Sequence, residues 1–253
     1  MNWPAEAIWE AVSPALAGFT VEVLPQVDST NTELMRRGRA GRTEPILLVA
    51  QRQTAGRGRL GRQWQSEAGA SLTFSLGMVL APADWSGLSL AVGVALADAL
   101  HPRIRLKWPN DLWLDDRKLG GILIETASST DAESGARFTV VGVGINVTAP
   151  AASGLSTAPA WLQEVLPQID AGQALLQIAA PLVQTLQAFQ TFGFAPFQAR
   201  FNVRDALRDR AVALTDGTTG TAHGASESGA LLVHTALGMQ AVTSSEVSVR
   251  PAA

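Results

Sequence analysis

The sequence predicts an α+β protein in which a large mixed part is followed by a small all-β unit. Helix-like and strand-like segments alternate up to about residue 205. From about Arg210 onward, the chain holds only short apolar runs separated by Gly and Asp, which is typical of a small barrel or sandwich. We therefore expect domains at 1–205 and 206–253, with the smaller docked on the larger, since about 45 residues are marginally stable alone.

The composition narrows the class of function. A net charge of −3 argues against a general nucleic-acid binder. The absence of cysteine excludes disulfides, thiolate metal sites and Cys nucleophiles. The N-terminal segment MNWPAEAIWEAV is acidic and is no secretory signal, and the most apolar window, LSLAVGVALADAL, is too short to span a bilayer. We expect a cytoplasmic protein without a membrane or nucleic-acid partner.

The first half of the chain predicts three strands and one helix around a basic glycine loop. Thr30 is the expected N-cap of the helix, Glu33 completes a capping box, and Gly38 ends it. The expected strands are FTVEVLPQV, PILLVAQ and SLTFSLGMVL, and the loop GRGRLGRQW (56–64) follows the second of them.

In the second half of the chain, predicted helices and strands continue to alternate. Pro109 stops a strand, and Pro181 is expected to kink or break a long helical region that ends near Phe192. The other expected elements are helices at 86–100 and 196–208, a Pro/Ala/Ser-rich loop at 149–160, and strands at RIRLKW, KLGGILIET and RFTVVGVGINV, the last two joined as a hairpin by the polar turn ASSTDAESGA.

Lysine is rare in this chain. Of 19 basic residues only Lys107 and Lys118 are lysines, and the other 17 are arginines. A lysine is usually a solvated surface charge. In a chain that otherwise uses arginine, we interpret these two as compact ammonium donors that the planar arginine fork cannot replace.

The loop at 56–64 has the chemistry of an anion site. Its three glycines permit positive φ and close backbone approach, and its arginines can bind carboxylate or phosphate bidentately. It lies between two strands, which argues against a disordered basic tail, and it is not a Walker P-loop. Trp64 is either a cap for a planar ligand or an ordinary core tryptophan.

Polar residues cluster at other predicted strand ends. In KWPNDL, Lys107, Asn110 and Asp111 can converge on one ligand, although a simple turn with Asp111 as its cap is the alternative. In KLGGIL, Lys118 precedes two glycines that let a ligand lie on bare backbone. VGVGIN repeats that device and presents Asn146.

Together, STN, GRGRxGRxW, KWPNDL, KLGGILIE and GxGINV, in this order, resemble the biotin protein ligases. The resemblance covers roughly residues 25 to 147, and GASESGALLVHT matches the family's C-terminal domain more loosely. It implies a mixed sheet with helices like that of class II aminoacyl-tRNA synthetases, plus an SH3-like β-barrel. Leu60 departs from the pattern, since some members have an arginine there.

The resemblance implies a two-step reaction. Biotin attacks the α-phosphate of MgATP to give biotinyl-5′-AMP, and a lysine of a biotin carboxyl carrier protein then takes the biotin. Lys118, Arg59, Lys107 and Asp111 would be catalytic. Biotin would contact Ser29, Thr30, Asn31, Gln53, Gly56, Arg57, Gly58, Arg59, Lys118, Gly121 and Gly142. The adenylate would contact Arg59, Arg62, Trp64, Lys107, Asn110, Asp111 and Asn146. The Mg²⁺ would be carried by the ATP phosphates, with Asp111 as the candidate protein contact. No metal site made only of protein ligands is expected.

Several expectations follow from the same resemblance. Only about 20 residues precede the first predicted strand, so we expect the monofunctional form without a DNA-binding domain. A lipoate ligase of the same fold and a noncatalytic biotin sensor are the alternatives, while a Cys-dependent octanoyl transferase is excluded. The partner would be the carrier of a carboxylase, and homodimer formation is left open.

Overall fold

The computed structural model describes residues 3–128, 135–150, 158–243 and 249–251. Within these ranges, no helix is long and apolar enough to cross a membrane. The larger part is a seven-stranded mixed sheet in the order β1-β2-β3-β7-β6-β5-β4, in which only β1 and β2 run parallel. Its strands are β1 (Thr20–Leu24), β2 (Ile46–Ala50), β3 (Ser71–Leu80), β4 (Arg105–Lys107), β5 (Asp111–Leu114), β6 (Arg117–Ser128) and β7 (Arg137–Asn146).

Helices cover both faces of this sheet. Neighbouring strand residues such as Leu47 and Leu48 belong to two separate core clusters, since side chains alternate between the faces of a strand. The smaller cluster includes Leu34 of the helix at Thr30–Arg39, and the larger contains most of the remaining core. The helices are α1 (Ala5–Val12), α2 (Thr30–Arg39), α3 (Leu88–Leu100), α4 (Ala171–Phe192) and α5 (Ala195–Arg204).

The main elements predicted from the sequence are confirmed, and several details differ. The N-cap of α2 is Ser29, whose hydroxyl accepts from the Thr32 amide, so the prediction of Thr30 as the cap was wrong by one residue. The helix continues past Gly38 to Arg39. Pro181 does not break α4, which is continuous from Ala171 to Phe192.

Two short elements were missed. Helix α1 lies in the acidic N-terminal segment, and β5 begins within the KWPNDL motif. Asp111 therefore starts a strand that pairs with β4 and β6, rather than lying beyond the end of the sheet. The β6–β7 hairpin is confirmed, but residues 129–134 of its predicted turn lie outside the described part of the chain.

The C-terminal part is a five-stranded antiparallel sheet that lies against the larger part. Its order is β11-β10-β9-β8-β12. The indole Nε1 of buried Trp108 donates to the Gly229 carbonyl at 3.1 Å, and the Asn202 side chain bonds to the Ala225 backbone in both directions. The strands are β8 (Ala211–Leu214), β9 (Thr219–Ala225), β10 (Leu231–Thr235), β11 (Gly238–Val242) and β12 (Val249–Pro251).

The junction between the two parts holds a buried carboxylate. Asp205 follows the last turn of α5, bridges Leu106 of β4 and is 1% exposed. One of its oxygens accepts from the Leu207 amide at 2.9 Å, while Oδ2 has no hydrogen-bond partner. Burial raises the pKa of this carboxyl to about 6.

Candidate active site

One cavity of about 180 Å³ opens between the sheet, the start of α2, the basic glycine loop and the β4–β5 turn. Most of the residues predicted from the motifs lie on its wall. Val249 of the C-terminal sheet also lines it, so both parts of the molecule contribute. The predicted residues on the wall are Ser29, Thr30, Asn31, Gln53, Arg57, Gly58, Arg59, Arg62, Trp64, Lys107, Asn110, Asp111, Lys118, Gly121 and Gly142.

Two predicted residues do not line this cavity. Asn146 is buried, and its Nδ2 donates to the Ala160 carbonyl at 2.9 Å, so it holds the segment that follows β7. Gly56 lies at the base of the loop, where a Cβ would collide with the Trp64 carbonyl. The binding roles proposed for these two residues stay predictions.

The polar floor of the cavity is built at the start of α2. Ser29, Thr30 and Asn31 are each 3% exposed, because the first turn of the helix packs onto the sheet. The Gln53 side chain accepts from the Thr30 amide at 2.7 Å and from the Thr30 hydroxyl at 3.0 Å. These bonds join the helix start to the segment after β2 and fix the floor before any ligand arrives.

Asn31 is held from several sides at once. Its Nδ2 donates to the Leu123 carbonyl and to Glu125, both at 3.1 Å, and its Oδ1 lies 2.6 Å from the Ser75 hydroxyl. Gly142 lies directly beneath, where a Cβ would collide with the Asn31 amide. Glycine is therefore required at position 142 to admit Asn31, in addition to the predicted role of leaving space for a ligand.

Trp64 forms another wall. A Cβ at Gly144 would collide with its indole ring, so the bare backbone of β7 lets the ring lie flat on the sheet. The Trp64 Nε1 is buried without a hydrogen-bond partner. A buried donor of this kind is costly unless a ligand satisfies it. Trp64 therefore packs against the sheet and also lines the cavity, and its role as a cap for a planar ligand stays a prediction.

The basic glycine loop folds as a short hairpin across the mouth of the cavity. The Gly58 amide donates to the Arg62 carbonyl at 2.7 Å, and Arg57 pairs with Gln63 as an isolated bridge. Leu60 at the tip has a φ of 55° and is 58% exposed. A left-handed conformation at a residue with a side chain is strained, which is a common feature of functional loops.

The loop arginines point in different directions. Arg59 crosses the cavity, and its Nη1 lies 3.3 Å from the Asn110 Oδ1. Burial lowers the pKa of the Arg59 guanidinium; nearby Arg62 also lowers it, and Asp111 opposes the shift. A desolvated cation beside a second one is a favourable place for an anion.

The β4–β5 turn supplies the charged end of the cavity. The Lys118 Nζ donates to the Asp111 Oδ1 at 2.7 Å, and Asn110 is fixed by donating to the Ile122 carbonyl at 2.8 Å. Lys107 lies 5.2 Å from the centre of the Trp113 ring. The Lys118 side chain lines the cavity and is 45% exposed, so solvent reaches it as well.

Among the described residues, no three acidic or histidine side chains come together as a metal site. The charged residues that line the cavity are instead mostly cationic, and Asp111 is the carboxylate among them. This distribution suits a ligand that carries several negative charges.

The comparisons with known proteins agree with this geometry. Residues 23–146 match a model described as the biotin/lipoate A/B protein ligase family, and residues 209–250 match the biotin protein ligase C-terminal domain. The chain is 36% identical over 229 residues to the bifunctional ligase/repressor BirA of Escherichia coli, covering 86% of this chain and 70% of that protein. The chain belongs to the biotin protein ligase family.

Other members of the biotin protein ligase family match over their full length. The biotin–[acetyl-CoA-carboxylase] ligase of Paracoccus denitrificans is 32% identical over 244 residues, covering 89% of this chain and 98% of that protein. The structure of the biotin protein ligase from Aquifex aeolicus in complex with biotin and ATP superimposes with a TM-score of 0.76 at 29% identity, covering 92% of this chain and 99% of that one. The two-part fold expected from the resemblance is therefore confirmed.

Some residues at this biotin protein ligase site were not found from the sequence. Ser75 is completely buried and touches both Thr30 and Asn31, and Glu125 accepts from Asn31 and Arg57. A serine inside a strand gives no distinctive pattern, and strand pairing brings Ser75 to the motif residues. Glu125 is the last residue of KLGGILIE, but its contacts with Asn31 and Arg57 depend on packing that the motif alone does not reveal.

Proposed function

We infer that the chain is an ATP-dependent ligase that forms biotinyl-5′-AMP and transfers biotin to a specific lysine of a biotin carboxyl carrier protein. One observation carries this function: a single cavity joins a hydrogen-bonded polar floor to a cationic end beneath the basic glycine loop. The floor suits the ureido head of biotin, and the cationic end suits its carboxylate together with the phosphates of ATP. The family members with biotin and ATP bound support both substrates.

In the first step, an oxygen of the biotin carboxylate attacks the α-phosphorus of ATP, and pyrophosphate leaves. Two anions must approach each other, and negative charge builds on the α-phosphate oxygens. Lys118 and Arg59 lie at the cavity wall where these charges would meet, and they would stabilise the transition state electrostatically. Lys107 and Asn110 would hold the remaining phosphates. ATP would bring its Mg²⁺, with Asp111 as the candidate protein contact.

In the second step, the carrier lysine attacks the carbonyl carbon of the mixed anhydride. The amine loses a proton, an amide bond forms, and AMP leaves. Asp111 is the carboxylate that lines the cavity beside Lys118, and it would orient the incoming amine once Lys118 turns to the phosphate. The carrier lysine would reach the anhydride through the mouth of the cavity when the loop at 56–62 is not closed over it.

The loop at 56–62 would protect the intermediate between the two steps. A mixed anhydride hydrolyses if water reaches it, and closing loops exclude water from such intermediates. Gly58 and Gly61 provide flexible backbone, while Arg57, Arg59 and Arg62 provide charge that a bound adenylate would neutralise. This explains why so much positive charge lies on flexible backbone.

The alternatives are separable by one experiment. A carrier domain is incubated with the protein, MgATP and biotin, and a parallel tube contains lipoate instead of biotin. Mass spectrometry that finds one biotin on one lysine supports the proposed function. Lipoate on that lysine indicates the lipoate ligase, which the comparisons do not favour. No adduct and no pyrophosphate release indicate a noncatalytic sensor.

The partner follows from the same chemistry. The named ligase relatives act on acetyl-CoA carboxylase, so we propose a carboxylase biotin carrier as the acceptor. The other expectations about partners, namely no nucleic acid and a homodimer left open, stay predictions.

A further inference from the structure

Glu125 joins two parts of the site, the pocket floor and the basic glycine loop. It lies on β6, and its carboxylate accepts from Asn31 of the pocket floor at 3.1 Å. The same carboxylate pairs with Arg57 of the basic glycine loop, with Nη1 at 3.2 Å from Oε1 and 3.4 Å from Oε2. Glu125 does not line the cavity, so it contacts the loop and the floor rather than the ligand.

The floor side of this connection is rigid. Both amide hydrogens of Asn31 are used, one on the Leu123 carbonyl and one on Glu125. The Ser75 hydroxyl holds the Asn31 Oδ1, and the backbone of Gly142 closes the space beneath it. Asn31 is 3% exposed and cannot move without breaking these contacts, so Glu125 is positioned by a fixed partner.

On the other side of this connection, Glu125 contacts Arg57, an exposed residue at the base of the basic glycine loop. The Arg57 side chain is 50% exposed, and its guanidinium also approaches the Thr32 hydroxyl at 3.5 Å. Arg57 is the residue whose backbone pairs with Gln63 to close the loop. Arg59 instead reaches across the cavity to Asn110. The two arginines therefore hold opposite sides of the loop.

We propose that Glu125 is a positioning residue that anchors the base of the basic glycine loop to the pocket floor through Arg57. This proposal rests on the proposed function, because the loop closes over the biotinyl adenylate. Arg57 then anchors the base of the loop in addition to lining the cavity with Arg59 and Arg62. Because Asn31 is already fixed without a ligand, the base of the loop is held by a rigid partner through Glu125.

Hydrogen exchange on the unliganded protein tests the anchor without any activity. Glu125→Gln keeps an oxygen that can accept from Asn31 but removes the charge that holds Arg57. We expect the amides of residues 57–64 to exchange about two- to fivefold faster, which is the effect of one partly exposed ion pair. Glu33→Gln is the matched control: the Glu33 side chain is 17% exposed, compared with 21% for Glu125, and it pairs with Arg37 at 2.8 Å on the same side of the sheet.

A second variant covers the case in which Glu125→Gln perturbs the strand. Arg57→Gln removes the same pair from its exposed end and should speed loop exchange equally. The double variant should add nothing further, because both changes remove one interaction. Additive effects, or equal exchange in the Glu125→Gln and Glu33→Gln proteins, would overturn the proposal.

Kinetics then connect the anchor to biotin. Glu125→Gln should raise the KM for biotin by about two- to fivefold and leave kcat nearly unchanged, since loop ordering contributes to binding in ground and transition states alike. A lower kcat with unchanged KM would contradict a positioning role. If the wild-type protein released no pyrophosphate, the proposed function would fail, while the exchange result would still decide whether the anchor exists.

Discussion

Lys118 is the residue whose proposed role depends most on charge and least on packing. Its ammonium lies 2.7 Å from the Asp111 carboxylate and its side chain is 45% exposed, so the pair contributes little to folding. We predict that Lys118→Ala lowers the rate of pyrophosphate release by about 10²–10³, as does loss of one donor to a developing charge. The melting temperature should stay close to that of Arg103→Ala, a control that removes the exposed pair with Asp115. An unchanged rate in the folded variant would reject the assignment.

Arg59 offers a second test at the residue scale. Replacing it by glycine removes the guanidinium that crosses the cavity, so the adenylate should escape and acylate amines on bystander proteins. With biotin, ATP and a lysine-rich bystander, mass spectrometry should find the label mainly on the bystander. Label on the enzyme should be confined to Lys107, Lys118 and the α-amino group of Met1, which lies outside the described residues, because the chain has no other lysine. No gain in bystander labelling over the wild type would contradict the clamp.

At the scale of elements, the loop at 56–62 should respond to ligands. Its hairpin is short, and Leu60 adopts a left-handed conformation at the tip. We predict that biotin, and more strongly biotin with ATP, slows hydrogen exchange of the loop amides. Fixing each residue of such a loop costs on the order of 1–2 kcal/mol, which binding must offset. Identical exchange with and without ligands would show that the loop does not close.

The elements also show what a single sequence can predict. The long strands and helices follow from clear apolar patterns, and the motif residues lie together because strand ends and adjoining turns share one face of the sheet. Strand β5 was missed because its four residues resemble a turn after Pro109. Ser75 and Glu125 were missed because their roles depend on pairing between β3, β7 and β6, which are distant in the chain. Thr30 was taken as the N-cap because two adjacent hydroxyl residues suit that position equally.

At the scale of the whole molecule, Asp205 lies where the seven-stranded and five-stranded sheets meet. Trp108 and Leu106 connect this junction to the β4–β5 turn of the active site, so stability at the junction bears on the site. Burial raises the pKa of Asp205 from 3.8 to about 6, while its bond to Leu207 and nearby Arg105 oppose the shift. Between these two values the folded state binds more protons than the unfolded state, so this group's contribution to stability is present at low pH and is lost as the pH rises through 6.

The same linkage gives a prediction for Asp205→Asn. The variant cannot ionise at this position, so it does not lose stability there as the pH rises, whereas the wild type does. Its free energy of unfolding should therefore increase relative to that of the wild type by on the order of 3 kcal/mol between pH 4 and pH 8, which corresponds to about two pKa units. Urea unfolding at a series of pH values measures the difference. Asp115→Asn is the control, since the Asp115 side chain is 52% exposed on the surface and its loss should leave the pH dependence nearly unchanged. Parallel curves for the wild type and Asp205→Asn would show that the carboxylate keeps an ordinary pKa, and that the two sheets meet around a charge that is solvated or paired.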